Sequence, residues 1–227
     1  MRRLTVGGLM LMSMLALGIT ATSASAFLPD LHVSLTGGTY PVHAEGACAA
    51  CITELTSAGG VILSALGFSV LYLFAELSAL GLYHAHIKNV QKGAQTCKTP
   101  GDGTGVVLVE EYVHLVFTEL APGLKVAALY LILNPLTITC GTVHVTVKGS
   151  VLGAYAGALN SCITEFKVNL LGEKGKQNIF RYEDNLGNSV AAELLADFGT
   201  GFMKAALNVN EEITAKVLEN KMVEVLG

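Results

Sequence analysis

The chain has 227 residues, 52% of them hydrophobic and 14% charged, with a mean hydropathy of +0.54. That much apolar surface excludes an intrinsically disordered chain, which is poor in residues to bury. Asp and Glu (18) outnumber Lys and Arg (14) and no basic run occurs, so a nucleic-acid partner is not expected.

Met1-Arg2-Arg3 followed by the apolar stretch Leu9–Ile19 and the small-x-small triplet Ala24-Ser25-Ala26 reads as a secretory signal peptide over residues 1–26. The apolar stretch is shorter than the roughly 20 residues that a membrane anchor needs. Both arginines leave with it, taking the net charge two units below −4. Residues 27–227 are then expected to form a single β-rich extracytoplasmic domain of a secreted protein, a length that one all-β domain accommodates.

In chain order, Leu31–Leu35, the turn signal Gly37-Gly38 and Tyr40-Pro41-Val42 predict a first hairpin. Residues 46–60 are small and irregular and predict a loop or one short helix. Val61–Tyr83 is the most apolar part beyond the signal. It is long enough for a membrane helix, but Glu76 inside it and its diluting Ser and Gly residues favour buried strands. Period-2 alternation then recurs: Tyr83, Ala85, Ile87; Val113, Leu115, Phe117; Val143, Val145, Val147; Phe166, Val168, Leu170. Leu129–Leu133 is continuously apolar, as in a strand buried on both faces or lining a cavity. Turn signals separate these runs at Gly101–Gly105, Ala121-Pro122-Gly123, Gly172–Gly175 and Asp184–Asn188. The end of the chain, with Ile213, Ala215, Val217 and Met222–Val225, fits two final strands better than a helix. The expected fold is all-β, a sandwich or up-and-down barrel of roughly eight to twelve strands.

Five cysteines in an exported chain read as disulfide material with one left over, and two bridges drawn from five cysteines allow roughly 15 patterns. Cys97, beside a turn, and Cys140, ending an apolar strand, are the pair chosen as a cross-strand staple. Cys48-Ala49-Ala50-Cys51 lacks the strand-then-helix setting of a redox CxxC, and no second CxxC completes a four-sulfur zinc site. A local bridge or pairing with distant cysteines is expected there, and the role of Cys162 stays open.

His84 and His86 are two apart on a strand and share a face, and His114 and His144 occupy similar polar positions on other strands. Converging, they could bind zinc or copper; otherwise they decorate a solvated face. No metal or other cofactor is assigned. No Gly-x-Ser-x-Gly elbow is present, Asp102–Gly105 is a turn rather than a protease loop, and Glu110-Glu111 and Glu211-Glu212 are adjacent residues that a strand points to opposite faces. No catalytic residue is named, and an enzyme is not the favoured reading.

Thr36–Pro41, Cys97 through Gly101-Asp102 to Gly105–Leu108, His114–Val116 and Thr137–Gly141 resemble a group of uncharacterised secreted bacterial proteins. That resemblance implies an exported β-rich fold and also supports pairing of Cys97 with Cys140, and it brings no activity with it. Three functional expectations follow. The first is a secreted or cell-envelope protein without catalytic activity, structural or adhesive. The second is a β-barrel carrier of an apolar, lipid-like ligand, and the third a histidine-based metal-binding protein.

Overall fold

The computed structural model describes residues 30–33, 42–74, 80–121, 124–184, 186–218 and 222–226. The signal-peptide expectation and the first turn at Gly37-Gly38 lie outside the described residues, as do Pro122 and Gly123. Among the described residues there are nineteen strands and no helix.

The first half of the chain contains β1 (Asp30–Val33), β2 (Val42–Ser57), β3 (Gly60–Phe74), β4 (Leu80–Ile87), β5 (Gln91–Lys92), β6 (Gln95–Lys98) and β7 (Val107–Ala121). Then come the long strands β8 (Leu124–Cys140) and β9 (Val143–Ala156), followed by β10 (Cys162–Ile163), β11 (Glu165–Asn169), β12 (Gly172–Glu173) and β13 (Lys176–Gln177). The chain ends with β14 (Arg181–Glu183), β15 (Ser189–Ala191), β16 (Leu194–Asp197), β17 (Met203–Val209), β18 (Ile213–Val217) and β19 (Val223–Leu226). β1 pairs with β19 rather than with a neighbour in sequence, and β10 flanks β19 on its other edge.

The main sheet closes on itself twice. Towards one end, β2–β3–β4–β7–β8–β9–β11–β18 pair in that order and β18 returns to β2, an antiparallel ring of eight strands. Towards the other end the ring is β2–β3–β5–β6–β8–β9–β16–β17, again closing on β2. Four long strands, β2, β3, β8 and β9, run through both rings, and short strands complete the wall differently at each end. Closure leaves those long strands no unpaired edge. The barrel alternative is therefore the one realised, with a strand order that is not sequential. The number of short strands exceeds the expected count because each end has its own set.

Each long strand is irregular where its neighbour changes. In β2, Ala49–Cys51 bulge out between the pairs Cys48↔Phe68 and Ile52↔Leu66. Opposite them in β3, Gly67 has φ +82°, and a Cβ there would lie 2.9 Å from the Ala49 carbonyl oxygen, so only glycine fits. In β8 the bulge is Asn134-Pro135, between Leu133 and Leu136, where the missing N–H of proline costs no ladder bond. Glu111 anchors it by accepting from the Asn134 backbone N–H (3.2 Å) and side-chain amide (2.6 Å). In β9, Gly149 takes φ +107° opposite that bulge. The expectation of a loop or short helix over residues 46–60 is thus corrected: β2 continues to Ser57, and only Ala58-Gly59 turn before β3 starts at Gly60. Bulging at Ala49–Cys51 shifts the phase of the side chains, which erases the alternation by which a strand is recognised.

Inward rows follow the period-2 pattern. Val145 and Val147 of β9, Phe166 and Val168 of β11, and Phe68, Val70, Tyr72 and Phe74 of β3 all belong to one core cluster, with half-buried Val143 packed against it. Outside the wall, Glu45, His86, Glu110, Glu165 and Lys216 are exposed, and so are Ile52, Leu66, Leu82 and Tyr112. The interior is apolar, whereas that of a transmembrane barrel is polar. Val61–Tyr83 lies on β3 and β4, and among the described residues no helix is long and apolar enough to cross a membrane. A second, smaller cluster lies on the outer face of β7–β8–β9, where Val116, Ala128 and Leu152 are covered by Ile179, Tyr182 and Ala192. Tyr130 packs on Tyr182 at 4.5 Å between ring centroids. The apolar run Leu129–Leu133 is therefore covered on its outer face at Tyr130 as well as on its inner one.

Two exposed turns depend on ionised carboxylates. Asp197 Oδ1 accepts from the backbone N–H groups of Gly199, Thr200 and Gly201, and these bonds hold its carboxyl below the usual range. Asp184 does the same for Leu186 and Asn188, with the Asn188 amide the largest contributor. A lowered pKa in the folded state means stability present above the unfolded value near 4 and lost as pH falls through the folded one. Urea midpoints measured from pH 6 down to pH 2 should therefore fall in acid, and by less in Asp197→Asn.

Candidate functional site

Inside the barrel is a cavity of about 130 Å³. Every long strand contributes to its wall, among them Leu63, Phe68, Tyr72, Leu131, Ile138 and Val151. Tyr83, Ala85 and Ile87 of β4 also line it, which fixes His84 and His86 outward. Burial pushes the phenols of Tyr72 and Tyr83 well above their usual range, and for Tyr83 the nearby Glu111 adds to the effect. Thr53, 7% exposed, also lines the cavity, and its hydroxyl has no hydrogen-bond partner among the described residues. Leaving such a group unmet costs about 1–3 kcal/mol.

The histidines do not assemble. His84 and His86 are on the outer face of β4, and His84 Nδ1 lies 3.1 Å from Glu110 Oε1 on β7. His114, also on β7, is level with Leu80 at the start of β4, four residues along that strand from His84. His144 lies on β9, separated from β4 by β7 and β8, with its Nδ1 3.2 Å from Thr139 Oγ1. Residue spacing on one strand was legible, but convergence needed a strand order that separates these residues.

Cys97 and Cys140 face each other across the β6–β8 ladder, both fully buried, and are joined by a disulfide. Cys48 and Cys51 form the second bridge, which closes the β2 bulge locally. Cys162 is exposed and unbridged. One feature had no signal in the sequence. The β17–β18 turn lies across the bulge, with the Ile52 N–H donating to Asn210 Oδ1 (2.7 Å) and the Asn210 N–H to the Ile52 carbonyl (3.0 Å). That docking places Glu211 Oε2 3.6 Å from Cys51 Sγ and 3.9 Å from Cys48 Sγ. Its neighbour Glu212 turns away to Lys167 (3.0 Å) and Asn169 (3.0 Å), which lower its carboxyl from the usual range. The remaining acidic pair also divides, with Glu110 outward at His84 and Glu111 at the Asn134 bulge.

No family profile, no curated protein and no solved structure matches this chain. The likeness to secreted bacterial proteins accordingly rests on its motifs alone.

Proposed function

We propose that this chain is an exported, non-catalytic barrel protein that holds one small apolar guest in its interior. The supporting observation is the cavity of about 130 Å³, whose wall is made almost wholly of aliphatic and aromatic side chains. Apolar cavities of roughly 150 Å³ stay dry and take up benzene. Pockets for drug-sized ligands run to about 300–1,000 Å³, so the volume favours a guest of about six to eight heavy atoms over a fatty acyl chain. Export is supported by the segment Met1–Ala26 and by two disulfides, which persist in oxidising compartments.

Benzene and phenol test this directly, through thermal unfolding with and without each compound. A guest that binds only the folded barrel raises the midpoint in proportion to RT ln(1 + [L]/Kd). Both compounds should raise it for the wild type. Thr53→Val should keep benzene binding and stabilise the empty barrel by about 1 kcal/mol. If neither compound shifts the midpoint at millimolar concentration, the guest reading fails, and the structural or adhesive role is what is left.

A further inference from the structure

We infer that Cys48, Cys51 and Glu211 form a zinc site that opens when their disulfide is reduced. All three ligand atoms lie within 4.8 Å of one another, although Glu211 is 160 residues from Cys51. Zinc–sulfur bonds of about 2.3 Å and zinc–oxygen bonds of about 2.1 Å at a tetrahedral angle put sulfur and oxygen about 3.6 Å apart. The observed separations, 3.6 and 3.9 Å, already have that spacing. Only the two sulfurs must move, from bonded contact to about 3.8 Å. Their Cα atoms are 5.6 Å apart on a bulge whose middle residues are free of the β2–β3 ladder, so that movement disturbs no strand pairing.

Charge gives the reason that the opened site needs a cation. Cys51 is fully buried, Cys48 half-buried and Glu211 exposed. Two thiolates beside a carboxylate would place three negative charges in one partly desolvated corner, which a divalent ion offsets. Two sulfurs and one oxygen suit zinc, with the fourth position left to water on the exposed side. The docked turn supplies the preorganisation: the Asn210–Ile52 bonds that place Glu211 involve neither sulfur.

The chemistry balances with a phosphine as reductant. The Sγ–Sγ bond breaks, phosphorus gives up two electrons and takes the oxygen of one water, and that water's two protons go to the sulfurs. Zinc then displaces both thiol protons. Cys97 and Cys140 are each fully buried, so the half-buried Cys48 directs mild reduction to the bulge.

The test uses the full chain, oxidised and after phosphine treatment, titrated with Co²⁺ as a probe whose thiolate charge-transfer absorption reports sulfur ligation. The reduced protein should bind one equivalent with that absorption and the oxidised protein none. Cys48→Ser should abolish it, and Glu211→Gln should weaken binding by at least about tenfold, the lower bound for groups that only support a ligand. Four results overturn the proposal: no thiolate absorption in the reduced protein, absorption that survives Cys48→Ser, unchanged affinity in Glu211→Gln, or loss of the β-sheet circular dichroism on reduction.

Discussion

Replacing Cys97 and Cys140 together by alanine is expected to destabilise the protein by about 4 kcal/mol. The bridge spans 43 residues, and a closed loop of that length removes about 4 kcal/mol of chain entropy from the unfolded state at 25 °C. Its position makes the loss local as well as global. β6 has four residues and β5 two, and together they are the entire wall between β3 and β8 at that end of the barrel. Cys97 ties this short pair to β8 directly opposite Cys140, and both sulfurs sit in the core cluster. By the same relation the Cys48–Cys51 bridge, separated by three residues, contributes only about 2 kcal/mol. Urea unfolding of the two double-alanine variants should therefore rank them in that order. A loss below about 1 kcal/mol for the Cys97/Cys140 pair would show that this wall holds without its staple.

Gly149→Ala should cost about 4 kcal/mol with no charge or polar group altered. Gly149 sits at φ +107°, and a Cβ built there falls 2.1 Å from the backbone carbonyl oxygen of Glu193. That oxygen cannot swing aside like a side-chain end. It accepts from the Ser150 N–H at 2.8 Å, and Leu194, next in the chain, pairs with Gly149 itself. Relief would pull β16 off β9 and open the wall on that side. A strained φ accounts for about 1–3 kcal/mol, and displaced ladder bonds supply the remainder. Gly103→Ala, where nothing lies within 4 Å of the added carbon, is the control and should stay within about 0.5 kcal/mol of wild type. Equal urea midpoints for the two variants would mean that β16 yields freely, against the closed ring described above.

Much of the wall could be read from local pattern. Val143, Val145 and Val147, or Phe166, Val168 and Leu170, announce an inward row because successive strand residues face opposite ways, and the core holds those residues on the predicted side. Asp184–Asn188 and Gly172–Gly175 were recognisable as turn signals from their Gly, Asn and Asp content, and the chain turns at Leu186-Gly187 and Lys174-Gly175. β2 was misread because Cys48-Ala49-Ala50-Cys51 breaks its alternation at a bulge. Small side chains at Ala49 and Ala50 give no sign of which face they occupy.

Site geometry behaves differently. His84, His86, His114 and His144 look alike as polar positions on alternating strands, yet β7 and β8 separate the first pair from the last. Glu211 looked like half of an ordinary acidic pair, and only the docking of the β17–β18 turn on β2 brings it to the sulfurs. The cavity likewise follows from eight strands closing at a fixed circumference, which Leu131 or Ile138 alone do not express.

The amino-acid sequence by itself determined the all-β class, the inward face of most strands, the turns and the stock of cysteines. Each of these depends on residues within a few positions of one another, through backbone period and turn chemistry. Tertiary structure alone decided ring closure, the interior volume and the meeting of Glu211 with Cys48 and Cys51. Those depend on which strand pairs with which across 150 residues or more, as β17 does with β2, and local periodicity holds no information about partners so far away.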